Sequence, residues 1–158
     1  MKKILVFALL SVIVSSLSFS WFWDSSYEKQ QKQIKAFVME ADAYIKKNGQ
    51  DVAFKEFQKK DGKFFRGELY IFVVNFEGNA VVHPANPKLI GKKLINLKDV
   101  KKKLFVREYI KVAKSKEGEG WVDYYWTHPV SKKIQPKLSF VKNYNDEYML
   151  IAGLYAKK

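Results

Sequence analysis

Thirteen of the 29 cationic side chains in this sequence stand in pairs and a triplet, at 46–47, 59–60, 92–93, 101–103, 132–133 and 157–158, mostly near the ends of apparent elements. Lys137 does not. It lies inside the strand-like run Gln135–Lys142, two residues before Ser139, and strand alternation puts Lys137 and Ser139 on one face. A small anion needs a positive donor, neutral hydrogen bonds and an apolar wall. Lys137 supplies the first if its face is covered, and is an ordinary surface lysine if that face is solvated.

In the run Trp121–Thr127, Tyr124 and Trp126 share one face, while Trp121, Asp123 and Tyr125 share the other. Rings on both sides imply that both faces are covered. Tyr124 can donate to a carboxylate, and Trp126 offers an apolar wall with an indole N–H, or else plain core packing. Tyr70 shares a face with Phe72 and is a candidate for the pocket floor, whereas Phe72 reads as core. His83 ends its strand just before Pro84, where the following loop could lid a pocket. It could donate to an anion and change charge near neutral pH, or simply cap the strand end. Arg107 reads as a partner in a surface salt bridge.

Catalytic patterns are lacking. No G-x-S-x-G, no phosphate-cradling glycine loop and no H-E-x-x-H occurs, and Glu117 and Glu119 lie in a glycine-rich turn where solvation is expected. With two histidines and no cysteine there is no expectation of a metal site, a disulfide or a cofactor. The chain reads as a non-enzyme.

The elements that must position these residues follow from periodicity. Residues 27–47 are amphipathic at helical spacing (Tyr27, Ile34, Phe37, Val38, Ala41, Tyr44, Ile45) and stop at Asn48-Gly49. Asp51 is placed to cap a second short helix that buries Val52, Phe54 and Phe57. Strands are expected at 68–76, 80–83, 120–127, 134–142 and 147–155, with a loop over 84–98 and a helix over 99–115 burying Leu104, Phe105, Tyr109, Ile110 and Ala113. The class is α+β: five antiparallel strands with helices on one side.

The N-terminus carries a different signal. Lys2 and Lys3 precede an apolar run, Ile4–Val14, broken only by Ser11, and Ser18 and Ser20 occupy the −3 and −1 positions of a cut after Ser20. That run is shorter than the roughly 20 residues a spanning helix needs. Residues 1–20 are therefore expected to be a signal peptide, with an uncleaved inner-membrane anchor as the alternative. Export without cysteine suits a bacterial periplasm or secretion. The net charge of +13 over 158 residues falls by two when Lys2 and Lys3 leave. It is dispersed and unaccompanied by any nucleic-acid-binding pattern, so no nucleic acid is expected, while peripheral contact with lipid headgroups is a secondary consequence.

Three ordered segments, YIFVVNFEGNAVVHPANPKLIGKKL at 70–94, FVREYIKVAKSKEGEGWVDYYWTHP at 105–129 and QPKLSFVKNYNDEYMLIAGLY at 135–155, resemble the single Cache domain (type 2) of extracytoplasmic sensory domains. The resemblance implies a PAS-like five-stranded antiparallel sheet packed on a long N-terminal helix, with a small-ligand pocket on the sheet's far side. It makes 21–63 the helical segment and 64–158 the sheet region of one domain. Asn75, Thr127 and Phe140 stand where relatives usually carry Asp, Pro and Tyr. The implied function is a free-standing sensory or ligand-binding module, taking a small organic acid or other anionic metabolite and informing a membrane receptor or kinase. The alternative is a protein- or membrane-docking module, using the exposed-looking Trp21-Phe22-Trp23 and no small ligand.

Overall fold

The computed structural model describes residues 13–156, with side chains from residue 26 onward. Two compact units divide the chain, residues 1–32 and residues 33–158. The expected signal peptide falls on residues 1–12, outside the described residues, and on 13–20, of which only helical backbone is described. The side chains of Trp21-Phe22-Trp23 are likewise outside them.

Helix α1 runs Ile13–Asn48, well upstream of the expected start at 27. No glycine or proline interrupts that stretch, so the backbone meets nothing that breaks a helix. It ends as expected: Gly49 has φ 83° and its N–H returns to the Ile45 carbonyl at 2.8 Å, the bond of a left-handed C-cap. α2 (Gln50–Phe57) follows at once, with Gly49 itself at the N-cap and no side-chain cap. Asp51 sits in the first turn instead, where a negative charge suits the helix dipole. Ala53 and Phe57 are the buried positions, and Val52, expected inside, is 52% exposed.

Short β1 (Phe65–Arg66) and β2 (Leu69–Tyr70) form a hairpin around Gly67. The main sheet comprises β3 (Phe72–Asn75), β4 (Ala80–Val82), β5 (Glu119–Thr127), β6 (Ile134–Asn143) and β7 (Tyr148–Tyr155), ordered β4-β3-β7-β6-β5 and antiparallel throughout. The single strand expected over 68–76 is therefore split at Ile71, because residues 69–70 pair with β1 while 72–75 join β7.

Helices cover both faces rather than one. Against one face lie Ile34, Phe37, Val38, Ala41 and Ile45 of α1, packed with Ile71, Val73, Phe140, Leu150, Ala152 and Leu154. Against the other lies α3 (Phe105–Ala113), whose Phe105, Val106, Tyr109 and Ala113 meet Phe72, Val74, Val122, Tyr124, Val141, Met149 and Ile151. Covered on both sides, central β7 is buried along nearly its whole length and reads as a continuous apolar run.

α3 is shorter than the expected 99–115. Asp99 competes for the backbone: its Oδ1 accepts from the Lys101 and Lys103 amides, and its Oδ2 accepts from the Tyr125 amide on edge strand β5. Such side-chain bonds favour a turn over a helix. Leu104 and Ile110 are half-buried, and Val106 takes the inward position instead.

Candidate functional site

The six residues singled out above converge on the face beneath α3. β6 carries Lys137 and Ser139, opposite Tyr155 and Gly153 of β7 on one side and Tyr124 and Val122 of β5 on the other. Lys137 Nζ donates to Tyr70 Oη at 3.2 Å, and Tyr124 Oη lies 3.3 Å from Ser139 Oγ. The His83 ring stands 5.5 Å from Tyr70 and 6.4 Å from Trp126, centroid to centroid. Of the six, His83, Tyr124 and Trp126 line one small cavity; Ser139, Tyr70 and Lys137 stand behind that lining, against Tyr124, His83 and Phe72 respectively.

Lys137 dominates the electrostatics. It is 1% exposed, and its ammonium stands 4.3 Å from the Tyr70 ring centroid and 5.0 Å from that of Tyr155. Among the described residues no carboxylate lies within ion-pair distance of it. Burial drags the amine down from its ordinary value to about 7, with the field of Glu68 opposing. The buried lysine thus has a phenol and ring faces around it in place of a counter-ion.

The phenols respond oppositely. Burial raises Tyr70 and Tyr109 well above the ordinary range and Tyr124 to about 12, and also raises Tyr155. All remain protonated donors at neutral pH. His83 Nδ1 accepts from the Asn86 amide at 3.1 Å, which leaves Nε2 as the protonated nitrogen of the neutral ring. Burial and then the Lys137 charge push His83 down to about 3. The expectation that His83 changes charge near neutrality is thus corrected: the ring caps the Pro84 turn and also walls the cavity, uncharged.

Residues that sequence reasoning missed come from α3, from β7 and from the 84–98 loop. Tyr109 Oη is buried with no hydrogen-bond partner, although it faces the Tyr124 and Ser139 hydroxyls. The spacing marked Tyr109 as core, and nothing local said that its hydroxyl would be orphaned. Tyr155 joins because it sits directly opposite Lys137 in the ladder, and its Oη donates to the Thr127 carbonyl at 2.9 Å. Phe105 stacks on Tyr124 at 4.5 Å, and Leu89 and Leu94 of the 84–98 loop close the apolar end. The remaining space is about 20 Å³, room for about one water.

Two outlying expectations change. Among the described residues Arg107 makes no ion pair; it donates to the Ile95 carbonyl and to Asn96 Oδ1, fastening α3 to the 84–98 loop. Glu119 is half-buried and paired with Lys35 at 2.6 Å and Lys142 at 3.7 Å, while Glu117 is solvated. Among the described residues no His, Cys, Asp and Glu cluster suits a metal, and no helix is long and apolar enough to cross a membrane.

Comparison with known proteins gives the domain's relatives. The family described as Single Cache domain 2 matches residues 26–157. Sensor histidine kinase MctS of Rhizobium johnstonii is 32% identical over 87 residues, 54% of this chain and 18% of the kinase. The chain thus spans less than a fifth of that relative's length. A methyl-accepting chemotaxis protein structure from Vibrio parahaemolyticus superposes with a TM-score of 0.74 at 21% identity, covering 84% of this chain and 92% of that one. The periplasmic sensor domain of a chemotaxis protein gives 0.64 at 27% identity, covering 83% and 97%. A Cache chemosensory domain described in terms of carboxylic acid recognition gives 0.68 at 22% identity, covering 87% and 98%.

Proposed function

The chain belongs to the single Cache domain 2 family, and from that premise we propose that it is an extracytoplasmic sensory module holding a small monocarboxylate against Lys137. It is a Cache sensory domain like those of chemotaxis receptors and a sensor kinase. What supports the finer reading is one observation: a buried ammonium with no carboxylate partner, bonded only to Tyr70 Oη at 3.2 Å. A carboxylate placed there gains a charge-assisted hydrogen bond, about twice as strong as a neutral one. Neutral phenols and His83 complete its coordination, and Phe105, Leu89 and Leu94 meet a short alkyl chain.

The charge inventory narrows the class. Among the described residues Lys137 is the one buried lysine, set against the lining residue Phe72, which leaves a second carboxylate of a diacid unpaired. No acid lines it among the described residues, so the ammonium of an amino acid finds no partner. With a cavity of about 20 Å³, entry requires the 84–98 loop and α3 to yield, as ligand-binding loops commonly do. In this reading residues 1–20 are a leader removed on export. The signal passes to a membrane receptor or kinase, and no chemical step is performed.

The small cavity favours a second reading, in which the site is filled by its own side chains and the basic surface docks a partner or membrane. A thermal-shift panel of acetate, propionate, lactate, succinate and alanine separates the two. The expected result is a rise in Tm with a monocarboxylate, absent in Lys137→Met. A flat panel, or a shift that persists in Lys137→Met, supports docking instead.

A further inference from the structure

We infer that the site takes up its carboxylate together with a proton, so that ligand and acidity act jointly on one pocket. This rests on the carboxylate reading above and adds how that site is regulated. The geometry that carries it is a lone amine among neutral groups. Lys137 of β6 meets the Tyr70 hydroxyl from β2 and the rings of Phe72 from β3 and Tyr155 from β7, stands opposite Tyr124 of β5 in the ladder, and acts electrostatically on His83 after β4, with Ser139 on its own strand. Glu68, between β1 and β2, is the acid whose field reaches Lys137, and its Oε2 already accepts from His128 Nε2 at 2.9 Å.

A charged amine in that setting has lost its water and gained no counter-ion. Releasing the proton relieves the cost, and burial places that release at about pH 7. The surrounding groups do not compete for the event: His83 is held down to about 3 and Tyr124 up to about 12, with Tyr70, Tyr109 and Tyr155 also raised. Only Lys137 changes charge across the neutral range within this cluster.

A carboxylate arriving beside Lys137 supplies the missing counter-ion and favours the ammonium. The balance is one carboxylate, one proton and one neutral amine giving one carboxylate–ammonium pair; no bond forms except N–H. Simple carboxylic acids are already ionised above about pH 6, so the proton comes from solvent. By linkage, affinity is flat below the release point and falls about tenfold for each pH unit above it.

Calorimetric titration of the protein with acetate, propionate and lactate, in two buffers of different ionisation enthalpy, tests this. The expected result is no net proton uptake at pH 5.5 and close to one proton per ligand at pH 8.5, with affinity about tenfold weaker per unit above 7. Ligand binding at pH 8.5 without buffer dependence overturns the inference and leaves the carboxylate reading standing. Absence of binding by all three acids at pH 5.5, where Lys137 is charged, overturns both. A ligand-free check is the side-chain NMR titration of lysine, with the Lys137 signal assigned by its loss in Lys137→Met. A midpoint near 7 is expected, and one near the ordinary lysine value overturns the inference.

Discussion

The stem of Lys137 crosses the sheet over Gly153. A β-carbon on residue 153 would stand 2.9 Å from Lys137 Cε and would collide with Ser139 Oγ and the Leu138 carbonyl. Strand β7 lies between β6 and β3, so a side chain at 153 would block the path from Lys137 to the Tyr70 hydroxyl. The glycine is needed for close approach, not for an unusual backbone angle.

Gly153→Ala is therefore expected to destabilise the domain by about 2–4 kcal/mol, as overpacking against backbone does. Urea unfolding measures it, read as a lower midpoint with unchanged slope. Wild-type stability in this variant would contradict the close approach.

Lys137→Met is expected to abolish monocarboxylate binding while raising the stability of the ligand-free protein. A buried charge gives way to an apolar stem of similar length. The sign of the pH dependence follows from the depressed amine. Between about 7 and its ordinary value of 10.5, the unfolded chain holds a proton that the folded chain has released. Wild-type stability therefore rises with pH through that window, while the variant lacks this contribution. The Tm advantage of Lys137→Met should be largest at and below pH 7 and shrink toward pH 10. A constant gap in calorimetric melts would refute the assignment.

Tyr109→Phe removes a buried hydroxyl that has no protein partner. Stability should hold or rise by up to about 1 kcal/mol, since an unsatisfied polar group is lost. Monocarboxylate affinity should fall about tenfold, the worth of one hydrogen bond to a charged group. Equal affinity for both proteins would take Tyr109 out of the site.

His83→Asn keeps an acceptor oxygen near the Nδ1 position for the Asn86 amide but removes the titrating ring. His83 is pushed down to about 3 from 6.5, so the unfolded chain binds the extra proton between these values. Its contribution to stability is present above pH 6.5 and is lost as pH falls toward 3. Acid melts of wild type should therefore fall more steeply through this window than those of His83→Asn. Parallel curves would show that His83 is not held neutral by burial.

Periodicity and turn chemistry made much of this legible. The spacing of Ile34, Phe37, Val38, Ala41 and Ile45 determined a buried helix face, and Asn48-Gly49 determined where that helix stops. Alternation in β5 and β6 determined that Tyr124 and Trp126 share a face, as do Lys137 and Ser139. These are local facts, set by 3.6-residue and two-residue repeats that any stretch of chain carries within itself. What local pattern could not decide is what each face meets. Whether Lys137 is solvated or buried depends on Tyr70, Phe72 and Tyr155 closing around it, and whether it reaches Tyr70 depends on a glycine sixteen residues later in the neighbouring strand. The breaks at Ile71 and before Phe105 came from pairing, the local hairpin with β1 giving way to distant β7 in one case and Tyr125 holding Asp99 in the other. The depressed charge of Lys137, the neutral ring of His83 and the orphaned hydroxyl of Tyr109 are all consequences of desolvation, and desolvation exists only once distant segments have packed together.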